Sequence, residues 1–140
     1  MLFKKYDNKL IIRLDIGEEV VETIKNVCTD LKIRSGTITG IGASNEASIG
    51  IYYPGLKLYQ SKIIKGNLEI TSLCGNITSM NNEVYIHIHA SIADEYYVVW
   101  GGHLYSAVVS VTCEVFIDIF EYTIHREKNL ELGLNLLNLE

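Results

Sequence analysis

The chain has 140 residues, 48% of them apolar and 21% charged, which excludes a disordered chain and gives a single domain enough apolar side chains for a core. Its formal net charge of −5 argues against a broad phosphate-binding surface, because nucleic-acid affinity rests mainly on Lys and Arg. No apolar run approaches the roughly 20 residues that span a bilayer, and Met1 to Asn8 lacks the apolar stretch of a signal peptide. The expectation is one cytoplasmic domain over residues 1–140 with no membrane association.

In chain order, Leu2 to Leu14 alternates loosely around an Asp7-Asn8 turn signal and reads as a strand or a bent pair of strands. Gly17 is expected to open a helix. Ile16, Val20, Ile24, Val27, Cys28 and Leu31 follow three- and four-residue spacing, with Glu18 and Glu19 in the first turn and Lys32 near the end. After Arg34-Ser35-Gly36 the texture changes to β. Thr37 to Ala43 is β-branched but punctuated by Gly40 and Gly42, which suggest a bulge or bend. Ala47 to Tyr53 reads as a strand ended by Pro54-Gly55, and Leu56 to Ile64 as another ended by Lys65-Gly66. Asn67 to Thr78 follows, then Ser79-Met80-Asn81-Asn82 reads as a hairpin turn from which Val84 to Ile92 returns antiparallel.

Ala107 to Phe120 is a long strand with Ala107, Val109, Val111, Cys113, Val115, Ile117 and Ile119 on one face. The Leu-rich tail from Leu130 fits both period two and a helix; Gly133 favours a short extended segment. Cys28, Cys74 and Cys113 are odd in number and form no Cys-x-x-Cys, so they read as reduced, buried thiols. One helix followed by many short strands predicts an α+β, two-layer domain. In it a largely antiparallel sheet carries one main α-helix on one face.

The chemistry concentrates in Tyr85 to Asp94. Side chains alternate along a strand, so Val84, Ile86, Ile88, Ala90 and Ile92 share an apolar face while Tyr85, His87, His89 and Ser91 share the other. Residues two apart on a strand are separated by about 6.8 Å at the backbone. Their imidazoles can converge on one ion, and His103 behind Gly101-Gly102 is placed to be a third ligand. The alternative is that these are surface or interface histidines bonded to neighbours. His125 reads as a solvated loop residue. Glu114 and Asp94 are candidates to orient a ligating His or to carry a proton. Gly36 to Gly42 lacks the later glycine of a dinucleotide fingerprint, and no Gly-x-Ser-x-Gly elbow is present. The face with Tyr85, His87, His89, Phe116 and Phe120 is aromatic enough to call for a homo-oligomer to cover it.

Several motifs in order resemble the PPC (plants and prokaryotes conserved) domain family, often labelled DNA-binding-protein-like. They are Arg13-Leu14-Asp15-Ile16-Gly17-Glu18, Ser35 to Ala43, Glu69 to Ile77, His87-Ile88-His89-Ala90-Ser91, Gly101-Gly102-His103-Leu104 and Thr112-Cys113-Glu114-Val115. The resemblance implies an antiparallel sheet with one main helix, a homotrimer, and zinc held by His87, His89 and His103. Plant members carry an AT-hook that binds the DNA minor groove; no Arg-Gly-Arg-Pro stands in this sequence. The plant Gly-Arg-Phe-Glu-Ile-Leu partner motif is replaced by Gly66 to Thr71, without its basic and aromatic residues.

Three functions follow as alternatives. One is a metal-dependent enzyme or small-molecule site, with Glu114 as a possible proton carrier. Another is a DNA-associated regulatory or oligomerisation module, for which acidic composition disfavours direct DNA binding. The third is a structural metal at a trimer interface.

Overall fold

The computed structural model describes residues 1–139. Strands β1 (Leu2–Tyr6) and β2 (Lys9–Leu14) form an antiparallel hairpin, with Asp7 at φ 46° in the turn. Alternation along β2 puts Leu10, Ile12 and Leu14 in the core.

Helix α1 spans Val20–Asp30 and starts later than the Gly17 opening read from the sequence. Gly17, at φ 86°, turns the chain instead, and Gly17 N–H and Val109 N–H donate to the carbonyls of Val109 and Glu18. Glu19 is the N-cap. Its carboxylate accepts from the backbone N–H of Val21 (3.1 Å) and Glu22 (2.6 Å), meeting two donors that a helix start leaves unpaired. Ile16 precedes the helix and is exposed rather than on its apolar face. Val20, Ile24, Val27 and Cys28 are buried, and each large aliphatic among them contributes about 1.5–3 kcal/mol.

The next two strands are longer than the sequence suggested. Strand β3 (Gly36–Tyr53) joins two expected strands, and β4 (Leu58–Met80) joins two more across Gly66. Gly40 and Gly42 make the expected bulge, and Gly66 makes another rather than a strand end. The β3–β4 register shifts between Gly40 and Gly42, and again between Ser44 and Glu46, opposite Gly66 at φ 127°. Ser79 and Met80, read as part of the hairpin turn, pair with Val84 and Glu83 and extend β4, so the turn narrows to Asn81 and Asn82, both at positive φ, before β5 (Glu83–Ala93). Strand β6 (Val99–Ile119) begins well before Ala107. The β3–β6 register jumps from Gly42–Cys113 to Ser44–Val109, so Val111 falls in a bulge and is exposed, not on the buried face. Strands β7 (His125–Asn129) and β8 (Leu134–Asn138) form a terminal hairpin, which bears out the extended tail and places His125 in a strand, exposed.

The pairings β3–β4, β4–β5, β5–β6 and β6–β3 close a circuit, so the sheet curls on itself rather than lying flat under a helix layer. All pairings are antiparallel except the β4–β7 bridge between Ser79 and His125. The helix packs on β2, β5 and β6. Among the described residues α1 is the single α-helix, so the fold is more β-rich than a two-layer α+β domain. No helix among them is long and apolar enough to cross a membrane.

Cys28 and Cys113 are buried, and burial pushes their thiols up to about 12 and about 11. Cys74 departs from the expectation. It lies opposite His89 in the β4–β5 register, on the outer face, and is exposed.

Candidate metal centre

The β5–β6 register brings the histidines together. His89 on β5 stands directly opposite His103 on β6, where facing Cβ atoms lie about 4.5–5.5 Å apart. His87, two residues before His89, is the diagonal neighbour on the same face. One nitrogen from each of His87, His89 and His103 lies within 4.8 Å of the other two. Ring centroids are 5.2 Å apart for His87–His89 and His87–His103, and 5.7 Å for His89–His103.

Two glycines permit this convergence. A Cβ on Gly102 would sit 2.6 Å from the carbonyl oxygen of Gly50, so β6 reaches His103 only by passing β3 at bare-backbone distance. A Cβ on Gly75 would collide with the carbonyl oxygen of His87, so β4 runs tight beside β5 at the site. Gly101, by contrast, would meet only Ala90 at an ordinary 3.6 Å. The requirement is for absent bulk at Gly102, not unusual backbone angles at both glycines.

The residues fit a metal ion. Nδ1 of His103 is buried and has no hydrogen-bond partner among the described residues. Burial and neighbouring positive charge hold two imidazoles neutral, the form that ligates. His87 is pushed down to about 4, first by burial, then by Arg126, His103 and His89. His103 is lowered by burial and by His89. Three imidazoles suit zinc and its transition-metal neighbours. His103 is flanked by Tyr59 at 5.1 Å and Tyr105 at 4.8 Å between centroids, while His89 is exposed and opens the site to solvent.

Sequence reasoning missed Arg126. It comes from β7 and is buried. Nε donates to Thr78 Oγ1 (2.8 Å), Nη1 to the carbonyl of Asn135 (2.7 Å) and Nη2 to Asn76 Oδ1 (2.9 Å). Nη2 also lies 3.5 Å from His87 Nδ1, and the guanidinium sits 4.9 Å from the centre of the Tyr85 ring. A lone Arg in a polar pentapeptide carries no signal of burial, because its position depends on the single β4–β7 bridge.

The two candidate carboxylates sit elsewhere. Asp94 closes the β5–β6 turn by accepting from the backbone N–H of Tyr96 and Val98 and from Trp100 Nε1. Glu114 lies on the far half of β6, opposite Ile41 of β3 and Arg13 of β2. The neighbouring row runs His89, Cys74, Thr39, Phe116 across β5, β4, β3 and β6. Three strand spacings of about 4.8 Å therefore separate the β5 histidines from the Glu114 part of β6 within one chain.

The Plants and Prokaryotes Conserved (PCC) domain matches residues 1–121. The chain belongs to this family. Among curated proteins none matches. A putative DNA-binding protein from Bacteroides thetaiotaomicron is 35% identical, with 98% of this chain and 96% of that one covered and a TM-score of 0.95. A metal-containing protein from Archaeoglobus fulgidus is 32% identical, with 99% of each chain covered and a TM-score of 0.87. A plant- and prokaryote-conserved protein from Pyrococcus horikoshii is 31% identical, with 98% and 94% covered and a TM-score of 0.87. Arg126 lies beyond the PCC match, but the 98–99% coverages of all three extend past it.

Proposed function

We propose that this PCC-domain protein holds a divalent transition metal, zinc foremost, on His87, His89 and His103, at a site that takes a small molecule. The observation that carries the reading is the convergence of three nitrogens within 4.8 Å. The orphaned Nδ1 of His103 and the metal-containing Archaeoglobus relative support it. Such an ion supplies a Lewis acid for an oxygen-bearing ligand. The chain's own part is to keep imidazoles neutral, to bring His103 against His89 through the Gly102 passage, and to leave the His89 side open.

We also propose that the domain works as a homotrimer. Ile41, Val111, Phe116 and Phe120 are exposed apolar side chains, which supports burial against further copies. In such an assembly Glu114 of a second copy is the candidate proton carrier, since within one chain it stands away from the histidines.

The test is metal analysis of protein purified without an affinity tag, beside His87→Ala/His89→Ala. About one zinc per wild-type chain and a loss in the variant is the expected result. Equal, negligible metal in both removes the reading.

A DNA-associated role is the second reading, supported by what the Bacteroides relative is called. The net charge of −5 opposes it. Salt-dependent retardation of duplex DNA would favour this role; no retardation at low salt would dismiss it.

A further inference from the structure

Arg126 is a buried cation without a counter-ion. Every acceptor it engages is neutral: a hydroxyl, a main-chain carbonyl and a side-chain amide oxygen. No carboxylate pairs with it among the described residues. A buried, unpaired charge is costly, so its retention next to a ligand site asks for an anion.

The contact with His87 sharpens this. A histidine that gives Nε2 to a metal carries its proton on Nδ1, and that proton is ordinarily met by an acceptor. The group beside His87 Nδ1 is instead the guanidinium, which offers only donors. Arg126 therefore does not orient His87 in the usual way. Three of its five N–H groups are committed to Thr78, Asn135 and Asn76, which fixes the plane of the fork. A second N–H on Nη2 remains at the edge of the histidine cluster, with only the long His87 contact.

We infer that the site takes a small organic carboxylate, bound at the three-histidine metal and hydrogen-bonded by Arg126. This rests on the metal reading above. The remaining Nη2 N–H can give one charge-assisted hydrogen bond to a carboxylate oxygen. The walls favour an organic body over a fully hydrated inorganic anion: Tyr85 lies beneath the guanidinium, and Tyr59 and Tyr105 flank His103. Asn76 and Thr78 of β4 are the positioning residues that hold the fork. The ligand reaches the site from the exposed His89 side.

The test uses cobalt(II)-loaded protein, with cobalt content measured first and the visible absorption bands of the metal followed during titration. Acetate is expected to change the bands saturably, while its neutral analogue acetamide does not. Arg126→Gln is expected to hold the same cobalt but to bind acetate at least about tenfold more weakly, as loss of a charged hydrogen bond implies. Arg126→Lys should fall between. A wild type that takes up no cobalt overturns the metal reading and this inference with it. Full cobalt with equal responses to acetate and acetamide, or with unchanged acetate affinity in Arg126→Gln, overturns this inference alone. Tighter binding of inorganic phosphate than of acetate overturns the organic carboxylate and gives the site to phosphate. Should Arg126→Gln fail to fold, Arg126→Lys decides: acetate affinity equal to wild type at the same cobalt content overturns this inference.

Discussion

Nη2 of Arg126 stands 3.5 Å from Nδ1 of His87, so a residue from the terminal hairpin adds positive charge beside a histidine of β5. Burial first, and then the positive neighbour, act in the same direction on His87, lowering its pKa to about 4 and keeping it neutral well below the range where histidine ordinarily protonates.

That relationship has a pH consequence for the metal-free protein. His87 titrates at about 4 when folded and near its ordinary 6.5 when unfolded. Above 6.5 both states are neutral there, and the site contributes no pH dependence. As pH falls from 6.5 toward 4, only the unfolded chain takes the proton, so stability declines across that window and levels off below it. Urea unfolding of metal-free wild type and His87→Gln at pH 7 and pH 5 should show the larger loss in the wild type. Equal losses would remove His87 as the cause.

Gly102→Ala places a methyl 2.6 Å from the carbonyl oxygen of Gly50. Strand β6 then has to move away from β3, at a cost of about 1–3 kcal/mol. His103 moves with it. Thermal unfolding and zinc content are both expected to fall, whereas Gly101→Ala should leave both near wild type. The reverse order would show that Gly101 carries the constraint.

Glu19→Ala removes the acceptor for the backbone N–H of Val21 and Glu22 at the start of α1. It also removes the acceptor for the N–H of Ala107 on β6, at 2.8 Å. A lost cap alone costs about 1 kcal/mol, and the stranded Ala107 N–H adds about as much again. Chemical denaturation should show a loss of about 2 kcal/mol with unchanged zinc content. A change within 0.5 kcal/mol, about the noise of a neutral surface substitution, would show that water replaces the carboxylate.

Phe116 lies on the outer face and is half exposed in the single chain. Phe116→Asp would bury a charge in any assembly formed through that face. Sedimentation should show trimeric wild type and a smaller species for the variant, with matching circular dichroism. A monomeric wild type, or a variant that remains trimeric, would refute assembly through Phe116.

Much of this was legible in the sequence because it is periodic or local. Alternation placed Ile88, Ala90 and Ile92 on one apolar face, which is buried, and the Asn81-Asn82 pair at the end of the expected turn takes the two positive φ angles. Strand ends were less legible. Gly40 and Gly42 read as a bulge or bend and form one, but Gly66 read as a strand end and instead lies at a bulge within continuous β4, since cross-strand pairing on both sides carries the chain through it. The buried face read from Ala107 to Ile119 failed at Val111 for the same reason, because a bulge resets alternation. Cys74 read as buried from apolar neighbours alone, and the register put it outside.

By itself the sequence determined the residue types of the candidate site and the face that carries two of them. His87 and His89 share a face because strand side chains repeat every second residue, whatever the rest of the fold does. Only the tertiary structure decided that His103 meets them, through the β5–β6 register and the close passage of Gly102 over Gly50. It alone decided that Arg126 lies beside His87 and Glu114 does not. Those distances are set by pairing between strands far apart in sequence, and non-local pairing leaves no local periodicity to read.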